Sequence, residues 1–179
     1  MIKRQKNNAK TIALLGVVVA FAAILSYIEI LISFDIWIPG VKLGMANIAI
    51  IVVLYLYGPK EAIVVNIVRI IVVGLLFGNM FSILFSLAGA FISLIVMTFA
   101  KKTDLFTILG VSVAGGVAHN MGQMLVSALV VKSYSIIYYM PVLIVAGVIT
   151  GVVIGIIGKT FLKSIVVFFK HDYKFDRKV

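Results

Sequence analysis

The chain has 179 residues, of which 63% are hydrophobic and 12% charged, with a formal net charge of +10; a typical globular domain carries roughly 45–50% and 25%. A soluble fold of this size could build one core but would have no polar surface left to cover it, so an ordinary soluble domain is excluded. The absence of cysteine also excludes disulfide staples, iron–sulfur ligation and a catalytic thiol.

Lipid is the solvent that accepts such a chain. Inside it every backbone N–H and C=O must be paired within the protein, which leaves helices or a closed barrel. Barrel strands alternate apolar and polar residues, whereas the apolar runs here are continuous, as in VVVAFAAIL and IAIIVVLYLY. The composition therefore predicts an all-α integral membrane protein.

A crossing helix needs about 20 apolar residues, and six candidate segments follow in order. The first runs from Thr11 to Ser33, after a basic N-terminus over residues 1–10. It is too long for a signal-peptide core and lacks a small-residue cleavage site, so no cleavable signal peptide is expected. A loop, FDIWIPGVKLG, follows, in which Pro39 and Gly40 break the helix and Trp37 suits headgroup depth. The second and third segments, Leu43–Tyr57 and Ala62–Phe77, are hinged at Gly58–Glu61. At about 22–24 Å they read as short crossings or as a re-entrant hairpin. The fourth covers Phe81–Ala100 and ends at KKTD, the fifth covers Leu105–Val131, and the sixth runs from Tyr138 to Leu162. The last residues, 163–179, interleave basic and aromatic side chains, as an interfacial anchor or a partner-docking helix would.

Six crossings put Lys3, Arg4, Lys6, Lys10, Lys60, Lys101, Lys102 and the basic set from Lys159 to Lys178 on one side, leaving Lys42 and Lys132 opposite. By the positive-inside rule that side is the cytoplasm, with both termini in it. The basic residues sit at segment ends, so they speak for a membrane and not for nucleic acid.

Small residues let helices approach closely in lipid. Ala9, Ala13, Gly16 and Ala20 form one face of the first segment, suited to packing or to docking a separate membrane subunit. Ser82, Ser86, Gly89 or Ala90, and Ser93 repeat the idea in the fourth, and Gly147, Gly151, Gly155 and Gly158 in the sixth, both read as packing within the bundle.

Polar groups at membrane depth need partners or a purpose. Ser112, Gly116, His119, Gln123 and Ser127 share one face of the fifth segment, with Asn120 beside it. Asn66 and Arg69 lie one turn apart in the third; Glu29 closes the first and Asn47 opens the second. Two readings stand for this set, an interhelical hydrogen-bond knot or a ligand-facing wall. Glu29 could also pair with Arg69 or Lys42. A metal site is not expected, because His119 has no second His, Cys or carboxylate at ligand spacing. Arg69 is the residue packing explains least, since its charge persists and its fork suits carboxylate or phosphate. Enzyme chemistry is not expected either. The six acidic residues form no paired-carboxylate site, and no phosphate-binding glycine loop or nucleophile–base motif is present.

The motifs PGVKLGMANI (Pro39–Ile48), GPKEA (Gly58–Ala62), SLAGAFISL (Ser86–Leu94), AGGVAHNMGQ (Ala114–Gln123) and YYMPVLIVAGVITGVVIG (Tyr138–Gly155) give the chain a resemblance. Over roughly Ala9 to Phe161 it resembles the bacterial membrane proteins called heptaprenyl diphosphate synthase component I, or Gx transporters. Those in turn resemble the substrate-binding S components of energy-coupling factor (ECF) vitamin transporters. The resemblance implies a six-helix bundle whose first helix contacts a membrane coupling subunit through small residues. It implies a binding protein in the bacterial cell membrane that takes up a vitamin-like or flavin-like molecule through an ATP-driven module. It also implies an alternative, a non-transporting scaffold in quinone, isoprenoid or flavin-based electron-transfer machinery, with redox or prenyl-synthase partners and a quinone-like ligand. The catalytic partner in such systems is a separate soluble protein with aspartate-rich motifs, which this chain lacks. Under the binding reading the pocket is walled by His119, Asn120, Gln123, Arg69, Asn66, Asn47, Glu29, Trp37 and Lys42.

Overall fold

A computed structural model of the chain describes residues 8–32 and 44–168. Every element in them is helical: α1 (Asn8–Ile32), α2 (Asn47–Leu56), α3 (Pro59–Phe77), α4 (Met80–Lys102), α5 (Ile108–Val131), a 3-10 segment (Tyr134–Tyr139) and α6 (Met140–Phe168). Three helical stretches are long and apolar enough to cross a bilayer, Ala9–Leu31, Met80–Lys102 and Ile137–Ile165. The rest are apolar but interrupted or short. Lys60, Glu61 and Arg69 interrupt α3, His119, Asn120 and Gln123 dilute α5, and α2 has ten residues. The basic N-terminus before Asn8, the loop carrying Trp37 and Lys42, and the tail after Phe168 lie outside the described residues.

Local chemistry sets most helix starts. Pro59 opens α3 at a position where its missing N–H costs nothing. Asn79 and Ser82 form a reciprocal capping box on α4. Thr107 caps α5 through the Gly110 amide, so that helix begins after Leu105 and not at it. The second segment also starts later than its apolar run predicts. Gly44 sits at φ +68° and Met45 and Ala46 form a turn before α2 begins at Asn47. The sixth runs past Leu162 to Phe168 and is preceded by the 3-10 segment, which the sequence reading did not foresee.

The helices alternate in direction. Ser93 Oγ donates to the Gly115 carbonyl, and Asn120 Nδ2 to the Leu143 carbonyl, tying α4 to α5 and α5 to α6 antiparallel. Tyr27 and Phe77 stack at 4.6 Å, which sets α1 and α3 parallel. Helix α5 packs most extensively, against α4 and α6. There Gly147, Gly151 and Gly155 lie against the α5 backbone at Val117, Val113 and Leu109, the close approach small residues permit in lipid.

Burial runs opposite to a soluble fold. The outer faces carry Ile12, Val17, Leu75, Phe91 and Leu129, each at least 64% exposed; a continuous apolar exterior of this kind belongs in hydrocarbon. Helix α2 forms the interior. Ile50, Ile51, Val53 and Leu54 are buried and pack with Ala62, Val65, Leu94, Val111, Ile154 and Leu162. At about 15 Å, α2 spans half of a roughly 30 Å hydrocarbon layer.

Candidate functional site

Helix α2 begins level with the middles of α5 and α6, and a polar cavity of about 50 Å³ lies at that end. Its walls come from all six α-helices: Glu29 (α1), Asn47 (α2), Arg69 (α3), Ser86 (α4), Gly116, His119 and Asn120 (α5), and Thr150 and Ile154 (α6), with Gly44 before α2. A volume of that order holds a few water-sized groups. A smaller adjoining space of about 10 Å³ is lined by Asn47, Asn66, Ser93 and Ser112 among apolar neighbours.

Glu29 closes the first helix against the second. Its Oε1 accepts the Gly44 amide at 2.7 Å and its Oε2 the Met45 amide at 3.1 Å. Those amides lead into the N-terminus of α2, where a carboxylate meets the positive end of the helix dipole. Gly44 is required there twice over. Its φ is left-handed, and a Cβ would meet Asn47 Nδ2 at 3.1 Å and Ile154 Cδ1 at 3.3 Å.

Arg69 stands near the middle of α3. Its Nη1 donates to Ser26 Oγ at 3.2 Å and its Nη2 to Asn66 Oδ1. Both partners are uncharged. The Nε is sealed from solvent and has no acceptor among the described residues. A buried donor left without an acceptor costs about 1–3 kcal/mol, more on a charged group. Glu29 is the nearby charge that acts on Arg69, and both line the cavity.

The structure thus brings Glu29, Asn47, Arg69, His119 and Asn120 to one cavity. Asn66 supports Arg69 from the next turn of α3. Asn120 is shared, since its amide also holds α6 through the Leu143 carbonyl at 2.9 Å. Gln123 does not line the cavity itself but stands behind its wall, donating to Ser86 Oγ at 3.5 Å. Trp37 and Lys42 lie outside the described residues. Sequence reasoning missed Thr150 and Ser26. Single hydroxyls in apolar helices commonly bond their own backbone, as Thr150 does to the Ala146 carbonyl, so no pattern flags them. Among the described residues no three His, Asp or Glu side chains cluster as metal ligands do.

An apolar exterior around a polar centre defines an all-helical membrane-embedded protein. Residues 18–161 match the family described as heptaprenyl diphosphate synthase component I, and the chain belongs to that family. No curated protein and no solved structure matches it.

Proposed function

We propose that this chain is a membrane-embedded binding protein, built like the S components of ECF transporters, that takes up a small vitamin-like or flavin-like molecule through an ATP-driven module. The observation that carries this reading is the convergence of polar residues from six helices on one cavity inside the bundle. Such groups are costly in lipid unless they serve a ligand or a pathway. In this reading the chain crosses the bacterial cell membrane six times with both termini in the cytoplasm, residues 11–162 form the membrane domain, and 163–179 a basic tail. Ala9, Ala13, Gly16 and Ala20 then dock a coupling subunit; all four are exposed, and a methyl at Gly16 would meet nothing within 4 Å.

The family description names one component of a synthase, and it supports a second reading, a non-catalytic membrane partner of redox or prenyl-synthase proteins. Purification from native membranes separates the two: ATPase subunits co-purify under the first, prenyl-synthase or redox proteins without them under the second. The binding reading itself is tested by thermal unfolding of the full chain in lipid nanodiscs against a panel of vitamins, flavins and quinones. A compound that binds the native state raises the midpoint, and His119→Ala reduces that rise. A panel without a single saturable shift would sink uptake as the function.

A further inference from the structure

Among the described residues, three charges meet at the cavity. Arg69 contributes a full positive charge from α3, and the N-terminus of α2 about half of one. Glu29 contributes one negative charge, directed by both oxygens at the Gly44 and Met45 amides. The local balance is slightly positive. That favours a monoanion over a cation, and over a dianion such as phosphate. The second observation is the Arg69 guanidinium. Ser26 and Asn66 hold its two Nη atoms, while Nε is buried with no acceptor among the described residues. In a guanidinium, Nε–H and a neighbouring Nη–H form the side-on fork that a carboxylate accepts. Ser26 and Asn66 take one N–H from each Nη, so Arg69 is held in place before anything binds, and the fork closes on a carboxylate once the packing over Nε yields.

We propose that the cavity takes the carboxylate of a small monoanionic ligand, with Arg69 as its principal donor and His119 and Asn47 beside it. This rests on the binding reading and narrows it, because neutral vitamins and diphosphates fit this balance less well than carboxylic acids. A carboxylate could arrive on a water-soluble acid or on a fatty acid from the bilayer, and the test separates them.

The probe is acetate, with isosteric neutral acetamide and with chloride as controls at equal ionic strength, on the full chain in phosphatidylcholine nanodiscs. Acetate should raise the unfolding midpoint by about 3–6 °C at roughly ten times its dissociation constant. Acetamide and chloride should not. Arg69→Gln should abolish the rise. Arg69→Lys, which keeps the charge but not the fork, should weaken acetate by about tenfold or more and guards against misfolding of the first variant. A response to oleate in the disc but none to aqueous acetate assigns the carboxylate to a lipid. Equal stabilisation by acetamide, an undiminished response in Arg69→Lys, or no response to either acid overturns the proposal. Binding of a neutral vitamin with equal strength to wild type and Arg69→Gln would overturn it while leaving the uptake reading intact.

Discussion

At Gly151 an added methyl would sit 2.6 Å from the Val113 Cα and 3.0 Å from the Ser112 carbonyl oxygen. Both are backbone atoms of α5, and neither can rotate away as a side-chain end would. Gly151→Ala therefore forces α6 off α5, and overpacking of this kind costs about 1–3 kcal/mol. Gly16 on α1 gives the contrast, since a methyl there meets nothing within 4 Å. Gly16→Ala should leave stability unchanged or raise it by up to about 1 kcal/mol through helix propensity. Thermal unfolding of the two variants in one detergent measures the difference. Equal midpoints would mean that the α5–α6 contact does not depend on the glycine. Both residues belong to small-residue stripes in the sequence, and spacing alone does not distinguish them. What separates them is which face another helix covers, a long-range fact that one segment's periodicity does not carry.

Helix α2 is held at both ends by charges that oppose its dipole. Glu29 meets the N-terminal amides. Lys101 at the end of α4 donates to the Leu54 carbonyl at 2.7 Å and lies 4.6 Å from the Tyr55 ring centre, a favourable cation at a helix C-terminus. Ten residues make a marginal helix alone, so these clamps and the apolar packing together keep it formed. Glu29→Gln and Lys101→Met should each cost about 1–2 kcal/mol. The ends lie about 15 Å apart, so the losses should add in the double variant. Hydrogen exchange of the α2 amides reads this directly: protection should fall in each single variant and further in the double. A double variant no worse than the weaker single would show that the ends are not independent clamps. The sequence made α1, α4 and α6 legible through uninterrupted apolar runs, and Pro59 and the KKTD stop placed neighbouring boundaries within a turn or so. The start of α2 was not legible, because it depends on a left-handed Gly44 and a carboxylate from another helix. In the site, the polar stripe on α5 and Arg69 stood out as costly residues. The place of Gln123 behind the wall, bonded to Ser86, did not, since residue type gives hydrogen-bonding capacity but not partners.

Across the whole molecule the alternating helix directions sort charge by end. Lys10 at the start of α1, Lys60 at the start of α3, Lys101 and Lys102 at the end of α4, and Lys159 and Lys163 in the last turns of α6 share one end; Lys132, after α5, lies at the other. Cytoplasmic loops and ends are enriched in Lys and Arg, so the basic end is the one expected to face the cytoplasm. The weak link in a six-crossing topology is the α2–α3 pair, because a half-length α2 is also what a re-entrant hairpin would show. Lys60 decides it. In six crossings Lys60 faces the cytoplasm with Lys102, whereas at the tip of a hairpin that enters from outside it stops short of the cytoplasm and is reached only from the side of Lys132. The chain contains no cysteine, so single cysteines at these three positions can be read without background. In intact cells a membrane-impermeant maleimide should label Lys132→Cys at once, and Lys60→Cys and Lys102→Cys only after permeabilisation. Labelling of Lys60→Cys and Lys132→Cys together, with Lys102→Cys protected, would replace the sixfold crossing with a hairpin. The cavity at the N-terminus of α2 would then approach the outer surface, and the cost of keeping Arg69 there would fall with it.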